Sequence, residues 1–166
     1  MKRTILAIVS VILLVLTTSG SLSAQALEPI RYTLRFPAPH THYFEVEAAI
    51  PTAGRPEVEV YMATWTPGSY LLREYQRHVE AVTAVAGSNP LAVEKSSKNR
   101  WKIQTAGARS VTLRYRVYGR EMTVRNNWVE AGFAMLNGAP TFITLVERAA
   151  RPHEVRVELA PTWESV

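Results

Sequence analysis

The sequence predicts an all-β domain, an antiparallel β-sandwich or saddle-like curved sheet of eight to nine short strands. Three observations carry that expectation. Apolar residues recur with a period of two in run after run, a Pro, Gly or Asn turn signal follows each run, and no three-to-four spacing persists for a helix length. With 166 residues the chain has one-domain length, enough to bury roughly two-thirds of its unfolded surface without metal or disulfide support.

Residues 1–26 are expected to be a signal peptide, leaving residues 27–166 as the β-domain. Lys2 and Arg3 precede an apolar run over residues 5–16, and Ala24-Gln25-Ala26 has the small-x-small form read by signal peptidase. Export to the periplasm or exterior is expected, without stable membrane insertion after cleavage; the run falls short of the roughly 20 residues a spanning helix needs, which leaves an uncleaved membrane anchor as the second reading. Removing Lys2 and Arg3 takes the formal charge from +5 to +3. That excess is too small to suggest nucleic acid as a partner.

The strands follow in order. Tyr32, Leu34 and Phe36 alternate with Arg31, Thr33 and Arg35 until Pro37 and Pro39 end the run. Phe44, Val46, Ala48 and Ile50 share one face, with Tyr43, Glu45 and Glu47 on the other, and Pro51 stops this strand. Past a turn over residues 52–56, Val58, Val60 and Met62 repeat the pattern, and as consecutive strands these two are expected to pair with each other.

Residues 64–75, Thr-Trp-Thr-Pro-Gly-Ser-Tyr-Leu-Leu-Arg-Glu-Tyr, interrupt the alternation. Proline fixes φ near −65° at the second position of a turn and glycine supplies the positive φ of the third, so Pro67-Gly68 predicts a type II reversal. Trp65, Tyr70 and Tyr75 stand beside the Arg73-Glu74 pair. One reading is a packed corner with Trp65 and Tyr70 in the core; the other is a recognition surface.

Residues 71–77 suit a helical turn and residues 79–85 a strand. Residues 95–99 read as a polar loop, Trp101, Ile103 and Thr105 as a short strand, and Val111, Leu113, Tyr115 and Val117 as the most regular strand of the chain. Asn137-Gly138 is a hairpin signal before residues 141–146, and Val155, Val157 and Leu159 mark a last strand. Leu159 and Trp163 flank Pro161, where their apolar surface is expected to be partly uncovered.

The inventory for chemistry is thin. Neither cysteine nor aspartate occurs, and His40, His42, His78 and His153 are the histidines, so thiol nucleophiles and cysteine-ligated zinc are ruled out. His40 and His42 would share a strand face, but two imidazoles are fewer than the three or four ligands zinc requires. No H-E-x-x-H, G-x-S-x-G or phosphate-cradling glycine loop is present, so no catalytic residue, metal ligand or cofactor site is assigned to this chain. Arg109, Arg114, Arg116, Arg120 and Arg125 form a basic stripe that serves either an anionic polymer or a solvated strand face. Asn126 and Asn127 are amides suited to holding a peptide backbone, or to making a turn.

Taken together, the segments His42-Tyr43-Phe44-Glu45-Val46-Glu47, Trp65-Thr66-Pro67-Gly68-Ser69-Tyr70-Leu71-x-Arg73-Glu74-Tyr75, Lys98-Asn99-x-Trp101, Tyr115-Arg116-Val117-Tyr118, Val124-Arg125 and Asn137-Gly138 resemble the amino-terminal domain of the glycyl aminopeptidase family of zinc metallopeptidases. The Trp-Thr-Pro-Gly-Ser-Tyr motif is the most distinctive. The resemblance implies an all-β domain ahead of a thermolysin-like catalytic domain, often with a PDZ domain beyond, and zinc only in that catalytic domain. The loop after Arg125 departs from the family pattern, which holds acidic residues and a histidine there, so no family contact is carried onto it. Alone, the chain is expected to be catalytically inert. Trp65, Tyr70, Arg73, Glu74, Asn126 and Asn127 are the candidates for contact with substrate or with a peptidase catalytic domain. The alternative expectation is a free-standing secreted peptide-binding β-module.

Overall fold

Alternation between apolar and polar residues builds strands with one buried face, and the computed structural model shows them over the described residues 27–69, 71–147 and 149–163. The expected signal peptide and Tyr70 lie outside the described residues. In chain order the strands are β1 (Ile30–Arg35), β2 (Tyr43–Pro51), β3 (Glu57–Met62), β4 (Val79–Ala86), β5 (Asn89–Leu91), β6 (Val93–Ser97), β7 (Arg100–Gln104), β8 (Ser110–Tyr118), β9 (Trp128–Val129), β10 (Ala134–Met135), β11 (Ile143–Leu145) and β12 (His153–Glu158). Twelve strands exceed the eight to nine expected, because β5, β9 and β10 are too short to show a period.

A six-stranded sheet runs β12-β1-β2-β8-β4-β5, a four-stranded sheet runs β11-β3-β7-β6, and β9 and β10 form a two-stranded ribbon. Pairing is antiparallel except between β1 and β12, which run parallel from Ile30↔His153 to Arg35↔Glu158. The two larger sheets face each other across the core. Phe44, Val46, Ala48 and Ile50 of β2 and Val111, Leu113, Tyr115 and Val117 of β8 are buried on one side, against Val58, Val60 and Met62 of β3 and Trp101 and Ile103 of β7. Two phenols stitch the layers, the Tyr32 hydroxyl donating to the Ile143 carbonyl at 2.9 Å and that of Tyr115 to the Thr141 carbonyl at 2.8 Å.

Several local expectations are corrected. β2 does not pair with β3; it lies between β1 and β8, while β3 lies between β11 and β7. Positive φ at Ala53 and Gly54 turns the chain out of the first sheet, and the buried Thr52 and Thr105 hold this corner through bonds to the Ala108 and Arg55 carbonyls. Asn137-Gly138 closes no hairpin, since β10 pairs with β9 and β11 with β3. Asn137-Gly138 instead opens a turn that leads into β11, with the Gly138 carbonyl accepting the Thr141 N–H at 3.1 Å, while the Asn137 amide donates to the Val124 carbonyl at 2.8 Å. Residues 95–97 of the expected polar loop 95–99 belong to strand β6, because an edge strand exposed along nearly its whole length needs no apolar alternation. His40 lies in a 3-10 turn (Pro39–Thr41) and His42 follows with φ 65°, so the two imidazoles share no strand face.

Arg114 and Arg116 lie on the solvated face of the large sheet. Arg114 pairs with Glu47 at 2.7 Å and Arg116 with Glu80 at 3.0 Å, which neutralises the middle of the basic stripe. Trp163 is partly covered rather than bare: its ring packs on Phe36 with centroids 4.7 Å apart and its indole N–H donates to the Ala131 carbonyl at 2.7 Å. Leu159 does remain exposed.

Candidate functional site

At the end of β3 the chain makes the excursion that the Trp-Thr-Pro-Gly-Ser motif encodes. Gly68 takes φ +79° and the Ser69 N–H bonds the Thr66 carbonyl at 3.1 Å, the reversal expected of Pro67-Gly68. The Arg73 N–H closes the loop onto the Thr64 carbonyl at 2.8 Å, and a 3-10 turn (Tyr75–His78) then leads into β4. Tyr75 and Gln76 are buried and anchor the returning limb. Trp65 is not in the core. It is 48% exposed, because the Pro67-Gly68 reversal holds the loop outside the sandwich rather than folding it between the sheets.

A second segment rises beside this loop after β8. Gly119 packs closely there, since a Cβ would stand 3.2 Å from the Val129 side chain and 3.3 Å from that of Asn127. The Gly119 carbonyl takes the Val129 N–H at 2.8 Å, which folds residues 120–128 into a tight return. Asn127, at its base, is 3% exposed and its amide is spent internally. Its nitrogen donates to the Pro140 carbonyl and Thr141 hydroxyl at 3.2 and 3.1 Å, and its oxygen accepts the Asn137 N–H at 2.8 Å. Asn127 therefore holds the ribbon to the sandwich. The neighbouring Asn126 amide turns the other way and donates to the Glu121 carboxylate.

Two clefts flank the paired loops. One of about 350 Å³ is lined by the segment from Leu71 to Tyr75 together with Arg77, His78, Glu121 and Asn126. It gathers the candidates Arg73, Glu74 and Asn126. The other, about 420 Å³, sets Trp65, Thr66 and Pro67 opposite Val124, Arg125 and Asn137. Leu71, Leu72, Met122 and Val124 are exposed around them, an apolar rim beside polar floors.

The cleft charges are largely committed. Arg77 pairs with Glu121 at 2.5 Å, and its Nε–H donates to His78 Nε2 at 3.0 Å. Burial and the Arg77 charge together hold the His78 imidazole below its ordinary value of 6.5, so it stays neutral and accepts that proton. The Lys98 ammonium, 2.5 Å from Glu74, holds the Glu74 carboxyl below the usual carboxylate value, and Glu74 in turn raises Lys98. Arg73 differs. Among the described residues no carboxylate pairs with its guanidinium, and its Nε–H is shielded from solvent without an acceptor. The Thr66 and Tyr75 hydroxyls and the Gln76 carbonyl oxygen are shielded and unpartnered as well. A buried unmade bond costs about 1–3 kcal/mol, so four of them within residues 66–76 mark a segment not optimised for stability alone.

Arg77, His78 and Glu121 belong to the site although no motif marks them, and Arg125 enters it from the end of the basic stripe. Glu121 reaches the cleft from 44 residues beyond Arg77, a distance no local pattern bridges. For metal, no group of three or more His, Cys, Asp or Glu side chains assembles among the described residues, and His42 Nδ1 is bonded to the Val129 carbonyl at 2.6 Å. The donor set does not fit zinc.

Comparison with known proteins agrees with this anatomy. The chain matches a solved structure described as an aminopeptidase N family protein from Idiomarina loihiensis with a TM-score of 0.74 and 26% identity. The match covers 80% of this chain and 22% of that one, so this chain corresponds to about a fifth of the length of that relative. No curated protein sequence matches. The family model described as the Peptidase M61 N-terminal domain matches residues 31–166, nearly the whole β-domain, and the chain belongs to that family.

Proposed function

We propose that this chain is a non-catalytic, exported β-domain that seats its paired loops against a zinc peptidase catalytic domain and shapes that domain's active site. The observation that carries the reading is the loop over residues 64–75. It bears the most distinctive motif of the family, yet it leaves Trp65, Leu71 and Leu72 exposed beside two clefts instead of burying them. Apolar side chains clustered at a cleft mouth favour a covering partner. On this reading zinc belongs to the partner's chemistry, and the β-domain contributes shape and polar contacts. The composition of residues 1–26 supports export. Among the described residues no helix is long and apolar enough to cross a membrane.

The test pairs the β-domain with an M61-type catalytic domain, in one polypeptide or as two chains. Association is followed by sedimentation and turnover by a glycyl or alanyl chromogenic substrate. Association, with a loss of kcat/KM when Trp65 is replaced by alanine, is the expected result. Full activity without the β-domain, and no association, would overturn the reading.

A further inference from the structure

The cleft under the segment from Leu71 to Tyr75 contains two acids and two arginines, and only one of the four is unused. Glu121 is held by Arg77 and Asn126, and Glu74 by Lys98. Arg73 is left as a half-buried guanidinium with no carboxylate partner among the described residues. With Lys98 included, the three cations and two acids leave one positive charge over. A singly charged anion matches that excess, whereas a dianion such as a phosphate would bring one negative charge more than the cleft can balance. A guanidinium is a planar fork that takes a carboxylate through two parallel N–H bonds. Leu71 and Leu72, both exposed on the same cleft, give apolar surface beside it.

We propose that this cleft binds the free C-terminal carboxylate of a short peptide, with Arg73 as the carboxylate fork and Leu71 and Leu72 against an aliphatic last residue. The proposal rests on reading this surface as substrate-facing and names the class of substrate it would take. The unpartnered, nine-tenths-buried Tyr75 hydroxyl on the same wall is a second donor that such an anion would engage once the loop adjusts around it.

The experiment titrates the chain with acetyl-Gly-Ala-Leu as free acid, with the same peptide as C-terminal amide, and with acetyl-Gly-Glu-Leu-amide. Amide and arginine Nε–H resonances are followed by NMR. The free acid is expected to shift the resonances of residues 71–77 and to bind about tenfold more tightly than the amide, the discrimination one charge-assisted pair provides. Arg73→Gln should abolish that preference, Arg73→Lys should reduce it, and Arg125→Gln in the neighbouring cleft should leave it unchanged. The spectrum of each variant before peptide is added reports whether it is folded. Binding of the glutamyl amide as tight as that of the free acid would overturn the C-terminal assignment. Equal binding of acid and amide, or a preference that survives Arg73→Gln in a folded variant, would overturn the proposal. Because no catalytic domain enters this experiment, its failure leaves the docking reading untouched. Peptide binding without docking would instead favour a free-standing peptide-binding domain.

Discussion

The Tyr115 hydroxyl accepts the backbone N–H of Ile143 at 3.1 Å while donating to the Thr141 carbonyl at 2.8 Å, so one phenol on the large sheet satisfies two main-chain groups at the start of β11. Removing the oxygen leaves both groups buried. Tyr115→Phe is expected to cost about 2–3 kcal/mol in a urea titration, a large share of the 5–15 kcal/mol typical of a domain. Burial raises the pKa of Tyr115 and Tyr32 above the ordinary value of 10. Their contribution is complete below pH 10 and is lost as pH rises beyond it, because the unfolded chain then releases phenolic protons that the folded one keeps. A chain with both tyrosines replaced by phenylalanine should lose that part of the alkaline slope.

Trp65→Ala should cost under about 1 kcal/mol, since the ring is half exposed on a loop outside the core. The sequence alone suggests a core tryptophan whose loss costs about 3–5 kcal/mol. A thermal melt separates the two. A drop in Tm of more than roughly 8 °C would return Trp65 to the core.

Asn127 is the polar pin of the ribbon. Asn127→Ala removes bonds to Pro140, Thr141 and Asn137 within a buried pocket, and about 2–3 kcal/mol of destabilisation is expected. Hydrogen exchange should quicken first in residues 134–142. Uniform exchange across the chain, with unchanged stability, would remove Asn127 from this role.

Two histidines set the acid side of the stability profile. Burial lowers the pKa of both His78 and His153 below 6.5, with Arg77 adding to the effect at His78. The unfolded chain therefore takes up protons first as pH falls, so this stabilisation is complete above about pH 6.5 and is lost below it. Glu59, Glu74 and Glu80, lowered by their hydrogen-bonded partners, act with the same sign in a separate window below 4.5. Urea midpoints should fall between pH 7 and pH 5.5. That fall should shrink in a variant carrying glutamine at positions 78 and 153, and a slope unchanged by both replacements would contradict the assignment.

Val155, Val157 and Leu159 are exposed on or just after β12, an edge of the large sheet. An exposed apolar edge is a template for pairing with another chain. Concentration-dependent association is expected by sedimentation, and Val157→Lys should weaken it. Trp163→Ser, by contrast, strips a partner from Phe36 and should lower stability without relieving association.

Strands were legible wherever one face is buried, because burial writes the period of two into β1, β2, β3, β7 and β8. β6 lacks it because exposure along the strand removes the contrast, whereas β12 keeps the alternation at Val155 and Val157 although both are exposed. Strand partners were less legible. The rule that consecutive strands pair failed at β2 and β3, where the buried Thr52 and Thr105 corner sends the chain to the other layer. At the site, the motif located Arg73 and Glu74. It gave no sign of Glu121, which arrives from another loop, or of the ion pairs that leave Arg73 as the unused cation.

The parallel pairing of β1 with β12 has a mechanical meaning. Chain entering at Ile30 and chain leaving at Glu158 do so from opposite ends of two hydrogen-bonded strands, roughly 17 Å apart at about 3.3 Å per residue. Tension between those points loads the β1–β12 bonds in shear, all at once, rather than peeling them one at a time. A load on the far end of β12 while the start of β1 is held would meet a clasp, and forced unfolding would be governed by the rate at which that clasp ruptures.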